Sequence, residues 1–267
     1  MYLLNKDTHP LKYLSEIKQI TKPLLGLGIT HFKFTLFLAD GKRVTFCNDS
    51  DWLIHFYKQD FHLLGDFDTN PFAIEAGTYI WDHLPSTPFS PVARSAQDDY
   101  NFSHGLSIVR HHDDVVYCYD FATNNENLAI NNFYIHFLDC LEQFILYFND
   151  RAQALIRQAM QNPLQIKERP TVFNLKALYP EFDKDSFLKN INIKHLYLKN
   201  SNELQYLTTR ELQCFRLLNK GFSQKQVAQE LKLSPRTVEH YLRQAKERCG
   251  YSSLSALQLM VNEHIKH

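Results

Sequence analysis

The 51 residues Leu207–Leu257, LTTRELQCFRLLNKGFSQKQVAQELKLSPRTVEHYLRQAKERCGYSSLSAL, constrain the fold of this chain more than any other stretch. Three helix starts are written into it. Thr208 followed by Glu211 is a capping box, and Ser223 followed by Gln226 is a second. Ser234 then places a good N-cap ahead of Pro235 at the first helical position, and Gly221 suits the end of the first helix. Apolar residues recur at helical spacing behind each start: Leu212, Phe215 and Leu218; Val227, Ala228 and Leu231; Val238, Tyr241, Leu242 and Ala245. The pattern predicts a three-helix core whose last helix turns a polar face outward.

That outward face carries Arg236, Glu239, His240, Arg243, Lys246 and Glu247. A major groove admits one helix, and residues near its N-terminus reach base edges. Arg243 suits guanine O6 and N7, His240 can donate to an acceptor, and Glu239 can accept from cytosine N4. Ser223, Lys225, Ser234, Arg236, Thr237 and Lys246 complete the expected DNA-contacting set, with Lys225, Ser234 and Thr237 placed for phosphates. The stretch resembles the LuxR-type, or GerE-type, helix-turn-helix of bacterial transcription regulators. Leu207, Thr208, Arg210, Glu211, Gly221, Ser223, Val227, Ala228, Leu231, Ser234, Thr237, Val238 and Gly250 fall where that family expects them. Tyr241, Ala245 and Cys249 depart from it.

Charge divides along the chain. The total is neutral, with 29 basic and 29 acidic residues. From Asn200 onward there are ten Lys and Arg against six Asp and Glu, which leaves 19 against 23 before it. So small a basic excess argues against a broad, sequence-blind basic surface and favours a dimer that doubles its phosphate contacts.

The first 200 residues predict helix, hairpin, helix, two strands and a long helix. Leu11–Leu25 has helical periodicity. Phe32–Ala39 and Arg43–Asn48 flank the hairpin signal Asp40-Gly41. Asp51–Phe61 and Pro91–Tyr100 are expected as helices, Phe102–Arg110 and Val115–Ala122 as strands, and Leu128–Met160 as one long helix. The fold class expected is α+β: a PAS-like α/β/α sandwich on an antiparallel sheet, followed by an all-α helix-turn-helix bundle. The expected domains are 1–165 for sensing or dimerisation, a linker at 166–202 with a strand at Ile193–Leu198, and 203–267 for DNA.

This order resembles regulators whose N-terminal domain binds an acylated homoserine lactone, the autoinducer-binding domain of quorum-sensing LuxR-family members. Tyr57, Asp66 and Trp81 share the spacing of three ligand-site positions of that family. The resemblance implies a desolvated carboxylate that accepts an amide N–H, with phenol and indole donors for carbonyl oxygens. Phe102–Ile108 resembles its glycine-containing strand. Leu53 stands where that family has its first tryptophan, and Phe67 follows Asp66 where it has proline. The reading left open beside it is a ligand-independent dimerisation or protein-interaction module.

Other chemistry has little behind it. No GxSxG, P-loop or GxGxxG motif occurs, so no enzyme activity and no cofactor are expected. His111, His112, Asp113 and Asp114 suit a polar turn better than a metal site. An early acidic pair of the kind a phosphoacceptor receiver needs is missing. Five cysteines without paired spacing, an N-terminus without a signal peptide's apolar run and the lack of a span-length apolar stretch predict a cytoplasmic protein with no membrane association. The expected partners are palindromic double-stranded DNA, a second copy of the chain, a small-molecule effector and RNA polymerase.

Overall fold

The computed structural model describes residues 4, 8–64, 66–69, 71–84, 90–166, 187, 194–200 and 203–266. The chain divides into two compact units, Met1–Pro180 and Glu181–His267. Most of the stretch expected as linker, and the expected strand start at Ile193, lie outside the described residues. Among the described residues no helix is long and apolar enough to cross a membrane.

The N-terminal unit is built on a six-stranded antiparallel sheet, in the order β3-β4-β5-β1-β2-β6. The strands are β1 His31–Leu38, β2 Lys42–Cys47, β3 Gly77–Ile80, β4 Ser103–His112, β5 Val115–Thr123 and β6 Leu164–Gln165. Asp40-Gly41 makes the β1–β2 turn, with Gly41 at φ +86°. Strand alternation sends Phe32, Phe34, Leu36, Phe46, Ile108 and Phe121 to one face. There they pack against Ile17 of α2 (Leu14–Thr21) and Leu141, Phe144 and Phe148 of α7 (Leu138–Ala159). The opposite face is covered by α3 (Ser50–Lys58), α4 (Asp66–Thr69) and α5 (Ser90–Tyr100). The sheet is therefore sandwiched between helical layers, as the sequence predicts.

Two expected helices are subdivided. Leu11–Leu25 resolves into α1 (His9–Lys12), α2 and a 3-10 segment Lys22–Leu27 that ends at Gly28, φ +77°. Leu128–Met160 breaks at Phe137, φ −125° and ψ 35°, into α6 (Ile130–His136) and α7. β4 runs on through His111 and His112, so the turn before β5 is Asp113-Asp114 alone.

Among the described residues of the C-terminal unit, a hairpin pairs β7 His195–Asn200 with β8 Glu203–Thr208, and helices follow it. These are α8 Thr209–Asn219, α9 Gln224–Glu230, α10 Pro235–Arg248 and α11 Leu254–Lys266. Leu212, Phe215, Val227, Val238, Leu242 and Ala245 form the core expected from the sequence. Leu198 and Leu207 of the hairpin and Leu257 and Val261 of α11 add to it, and these elements are an addition to the three-helix pattern.

Candidate functional site

The DNA-facing candidate is built by helix caps. Both capping boxes form: Thr208 N donates to Glu211 Oε2 at 2.8 Å, and Ser223 N donates to Gln226 Oε1 at 2.8 Å. α8 ends at Gly221, φ +89°, where Phe222 N reaches back to the Leu217 carbonyl at 3.2 Å. The turn between α9 and α10 passes through Lys232 in the left-handed region, φ +55°, with Leu233 N on the Ala228 carbonyl at 2.8 Å. Ser234 Oγ then accepts from Thr237 N at 3.0 Å and starts α10.

Val238, Leu242 and Ala245 hold the inner side of α10. Arg236, Glu239, His240 and Arg243 are exposed, and Thr237 and Lys246 are half-buried. Spacing of three and four residues stacks Arg236, Glu239, His240, Arg243 and Lys246 along one side. Arg243 Nη2 lies 3.4 Å from His240 Nδ1. Ser223, Lys225 and Ser234 are exposed at or near the N-termini of α9 and α10. Arg248, at the far end of α10, turns inward instead. It pairs with the buried Glu211, donates through Nε to the Tyr206 carbonyl at 3.0 Å and lies 4.6 Å from the centre of the Tyr206 ring.

The second candidate is a cavity of about 270 Å³ in the N-terminal unit, between the sheet and α3, α4 and α5. Trp52, Phe56, Phe67, Leu84, Val92 and Phe102 give it apolar walls. Lys33 and Asp120 on the sheet and Asp68 on α4 also line it. Lys33 Nζ meets Asp68 Oδ2 at 3.1 Å and Asp120 Oδ2 at 3.3 Å. Arg43, buried on β2, donates to Asp68 Oδ1 at 2.8 Å and to its carbonyl at 3.0 Å. Burial opposes charge on the Lys33 ammonium, but the two carboxylates outweigh it and raise its pKa above the ordinary lysine value. His31, stacked on Phe102 with centroids 4.0 Å apart, is driven down to about 3 by burial and then by the Lys33 charge.

The three expected ligand residues are placed differently from one another. Trp81 lines the cavity, and its indole N–H donates to Ser107 Oγ at 2.8 Å. Tyr57 is buried on α3, with its hydroxyl 3.3 Å from Thr45 Oγ1, and is outside the lining among the described residues. Asp66 begins α4, and its side chain lies outside the described residues. The carboxylate that the structure places in the cavity wall is Asp68. Sequence reasoning missed Lys33, Arg43, Asp68 and Asp120. A weak signal for the first two was present: charged residues alternating with Phe32, Phe34, Val44 and Phe46 on strands.

Among the described residues no group of three or more His, Cys, Asp or Glu side chains is placed to hold a metal ion. No curated protein matches the chain. Among solved structures, the crystal structure of Escherichia coli SdiA aligns over 94% of this chain and 93% of its own, with 11% identity and a TM-score of 0.40. SdiA in complex with octanoyl-rac-glycerol aligns over 93% of this chain and 87% of its own, with 12% identity and a TM-score of 0.39. Residues 205–261 match the GerE family, described as bacterial regulatory proteins, luxR family. The chain thus carries a luxR-family helix-turn-helix domain, the DNA-binding domain of bacterial transcription regulators.

Proposed function

We propose that this protein is a cytoplasmic transcription regulator that binds palindromic DNA as a homodimer, with RNA polymerase as a downstream partner, and that a small molecule in the N-terminal cavity controls that binding. The observation that carries the reading is an apolar-walled cavity over a buried charged floor, in a chain that also holds a DNA-binding domain. Trp81 would contact the effector directly, and the proposed ligand site extends to Tyr57 and Asp66. Half-sites would lie about one helical turn apart. The domains assigned to these roles are 1–165 for sensing, 166–202 as linker and 203–267 for DNA.

In this reading Arg243, His240 and Glu239 contact base edges, while Ser223, Lys225, Ser234, Arg236, Thr237 and Lys246 hold phosphates. Arg243→Ala should cost about 1–3 kcal/mol on the preferred site and relax base preference there. Lys225→Ala should weaken all duplexes alike and lower the salt slope by roughly one phosphate's worth. Anisotropy titrations across salt concentrations check both, and equal losses with unchanged salt slope would overturn the assignment.

Sensing is tested by thermal unfolding of the full chain against a panel of acylated homoserine lactones and other acylated small molecules. A bound effector at 100 times its Kd should add about 2.7 kcal/mol, and Trp81→Ala should abolish the gain. A cooperative transition that no member of the panel shifts would contradict sensing. A second reading, a dimerisation module without a ligand, is favoured by the exposure of Ile135, Phe137 and Leu146 on or beside α6 and α7. Small-molecule stabilisation separates the two, and Leu146→Glu in sedimentation tests whether this face makes the dimer. A dimer lost with small-molecule stabilisation intact would show two independent properties of one unit.

A further inference from the structure

A line of polar side chains crosses the sheet beneath the cavity, nearly perpendicular to the strands. Ser107, Asp120 and Lys33 are direct neighbours in register on β4, β5 and β1. Trp81 Nε1 donates to Ser107 Oγ at 2.8 Å, and Ser107 Oγ donates to Asp120 Oδ1 at 2.6 Å. Asp120 pairs with Lys33, Lys33 with Asp68, and Asp68 with Arg43 on β2. Cys118 Sγ also reaches Asp120 Oδ1, at 3.3 Å. The line holds two cations and two carboxylates, so its formal charge is zero.

We infer that Lys33 selects the guest of this cavity: an uncharged molecule that offers a carbonyl-type acceptor to the Lys33 ammonium, with carboxylates refused. This rests on the sensor reading above. Of the donors in the line, the Trp81 N–H and the Ser107 hydroxyl already point along it. An ammonium carries three donors: Lys33 Nζ donates to Asp68 at 3.1 Å, is ion-paired with Asp120 at 3.3 Å, and otherwise faces the Phe56 ring, 4.8 Å from its centre, a weak contact that a guest carbonyl at the cavity wall would replace. A guest carboxylate would add a third negative charge beside those two carboxylates, where the cations among the described residues, Lys33 and Arg43, are already paired. His31 cannot supply the missing charge, because burial and the Lys33 ammonium keep its ring neutral. The other ionisable groups of the lining, Asp82 and His104, hold each other at 2.8 Å. Burying an unpaired charge is disfavoured far more than burying a hydrogen-bonded carbonyl.

The test is thermal unfolding of the full chain at pH 7.5 with three probes of matched tail: octanamide, octanoate and octylammonium. Octanamide should raise the midpoint saturably, while the charged probes need at least tenfold higher concentration for the same shift. A variant that removes Lys33 yet leaves the line neutral, Lys33→Met with Asp120→Asn, should fold and lose the preference for octanamide. If octanoate stabilises as well as octanamide, the sensor reading stands and the selection by Lys33 is wrong. If the neutral double variant keeps the full octanamide preference, Lys33 is not the selecting residue. If none of the three probes shifts the wild-type midpoint while a member of the acylated panel does, the sensor reading stands and the inference is wrong; if the panel fails as well, both fall.

Discussion

Asp68 joins the buried cations Lys33 and Arg43, so its loss leaves Lys33 with one carboxylate and Arg43 with none among the bonds described. Breaking a buried pair by removing one partner costs about 3–5 kcal/mol, and Asp68→Ala should lower urea-unfolding stability by that amount. A loss below about 1 kcal/mol would show that water reaches the cluster. Gly105 has a different task. A Cβ there would stand 2.1 Å from Cε3 of the Trp81 indole, which lies across the glycine. Gly105→Ala should therefore drive the indole off the β4 wall, costing about 1–3 kcal/mol and shifting tryptophan emission to the red. Unchanged emission would contradict that packing. The glycine is visible in the sequence, but the ring that needs it comes from 24 residues earlier. Lys33 and Arg43 show the same limit. An alternating strand reads as one buried and one solvated face, and only the α3–α5 layer makes their face interior. Their partner Asp68 lies 35 and 25 residues away.

Helix starts were the most legible elements, because a cap is a local bargain between a side chain and backbone N–H groups within three residues. Thr208→Ala and Ser223→Ala should each destabilise the C-terminal unit by about 1 kcal/mol in chemical denaturation; no loss from either would mean that solvent satisfies those donors equally well. Arg248→Ala should cost more, since it leaves the buried Glu211 without its cation and unpins Tyr206 from α10. The β7–β8 hairpin was only half visible. Tyr206-Leu207 breaks the alternation of β8, and Thr208 serves both as its last residue and as the cap of α8. The break at Phe137 had no proline or glycine to mark it. Short strands such as β3 and β6 carry too few residues for periodicity to show.

At the scale of the whole molecule, three histidines buried among the described residues, His9, His31 and His62, weaken the fold in acid. Burial is the main cause that lowers His9 to about 4, His31 to about 3 and His62 to about 4. His9 also accepts Thr45 N at Nε2, 3.0 Å, which requires that nitrogen unprotonated. Above pH 6.5 these rings are neutral folded or unfolded. As pH falls below 6.5 the unfolded chain binds protons that the folded chain refuses, so stability drops until the folded values of about 3–4 are reached. Each fully buried ring contributes a slope of about 1.4 kcal/mol per pH unit in that window. His31→Phe should remove one such contribution in urea midpoints measured against pH; an unchanged slope would show that His31 is not a neutral buried ring. The layered fold and the DNA-binding end were readable because periodicity and caps are local, whereas the cavity floor depends on residues that only the closed sheet assembles. Control of DNA binding by the cavity is probed most directly at Ala96, which is buried and lines that cavity. Ala96→Trp would place an indole where an effector is proposed to sit. The measurement is the affinity of the full chain, wild type against Ala96→Trp, for the duplex it selects from a random pool. At least a tenfold change, about 1.4 kcal/mol, is expected, with base preference unchanged. Equal affinity from an Ala96→Trp chain that unfolds cooperatively would contradict control of DNA binding by the cavity.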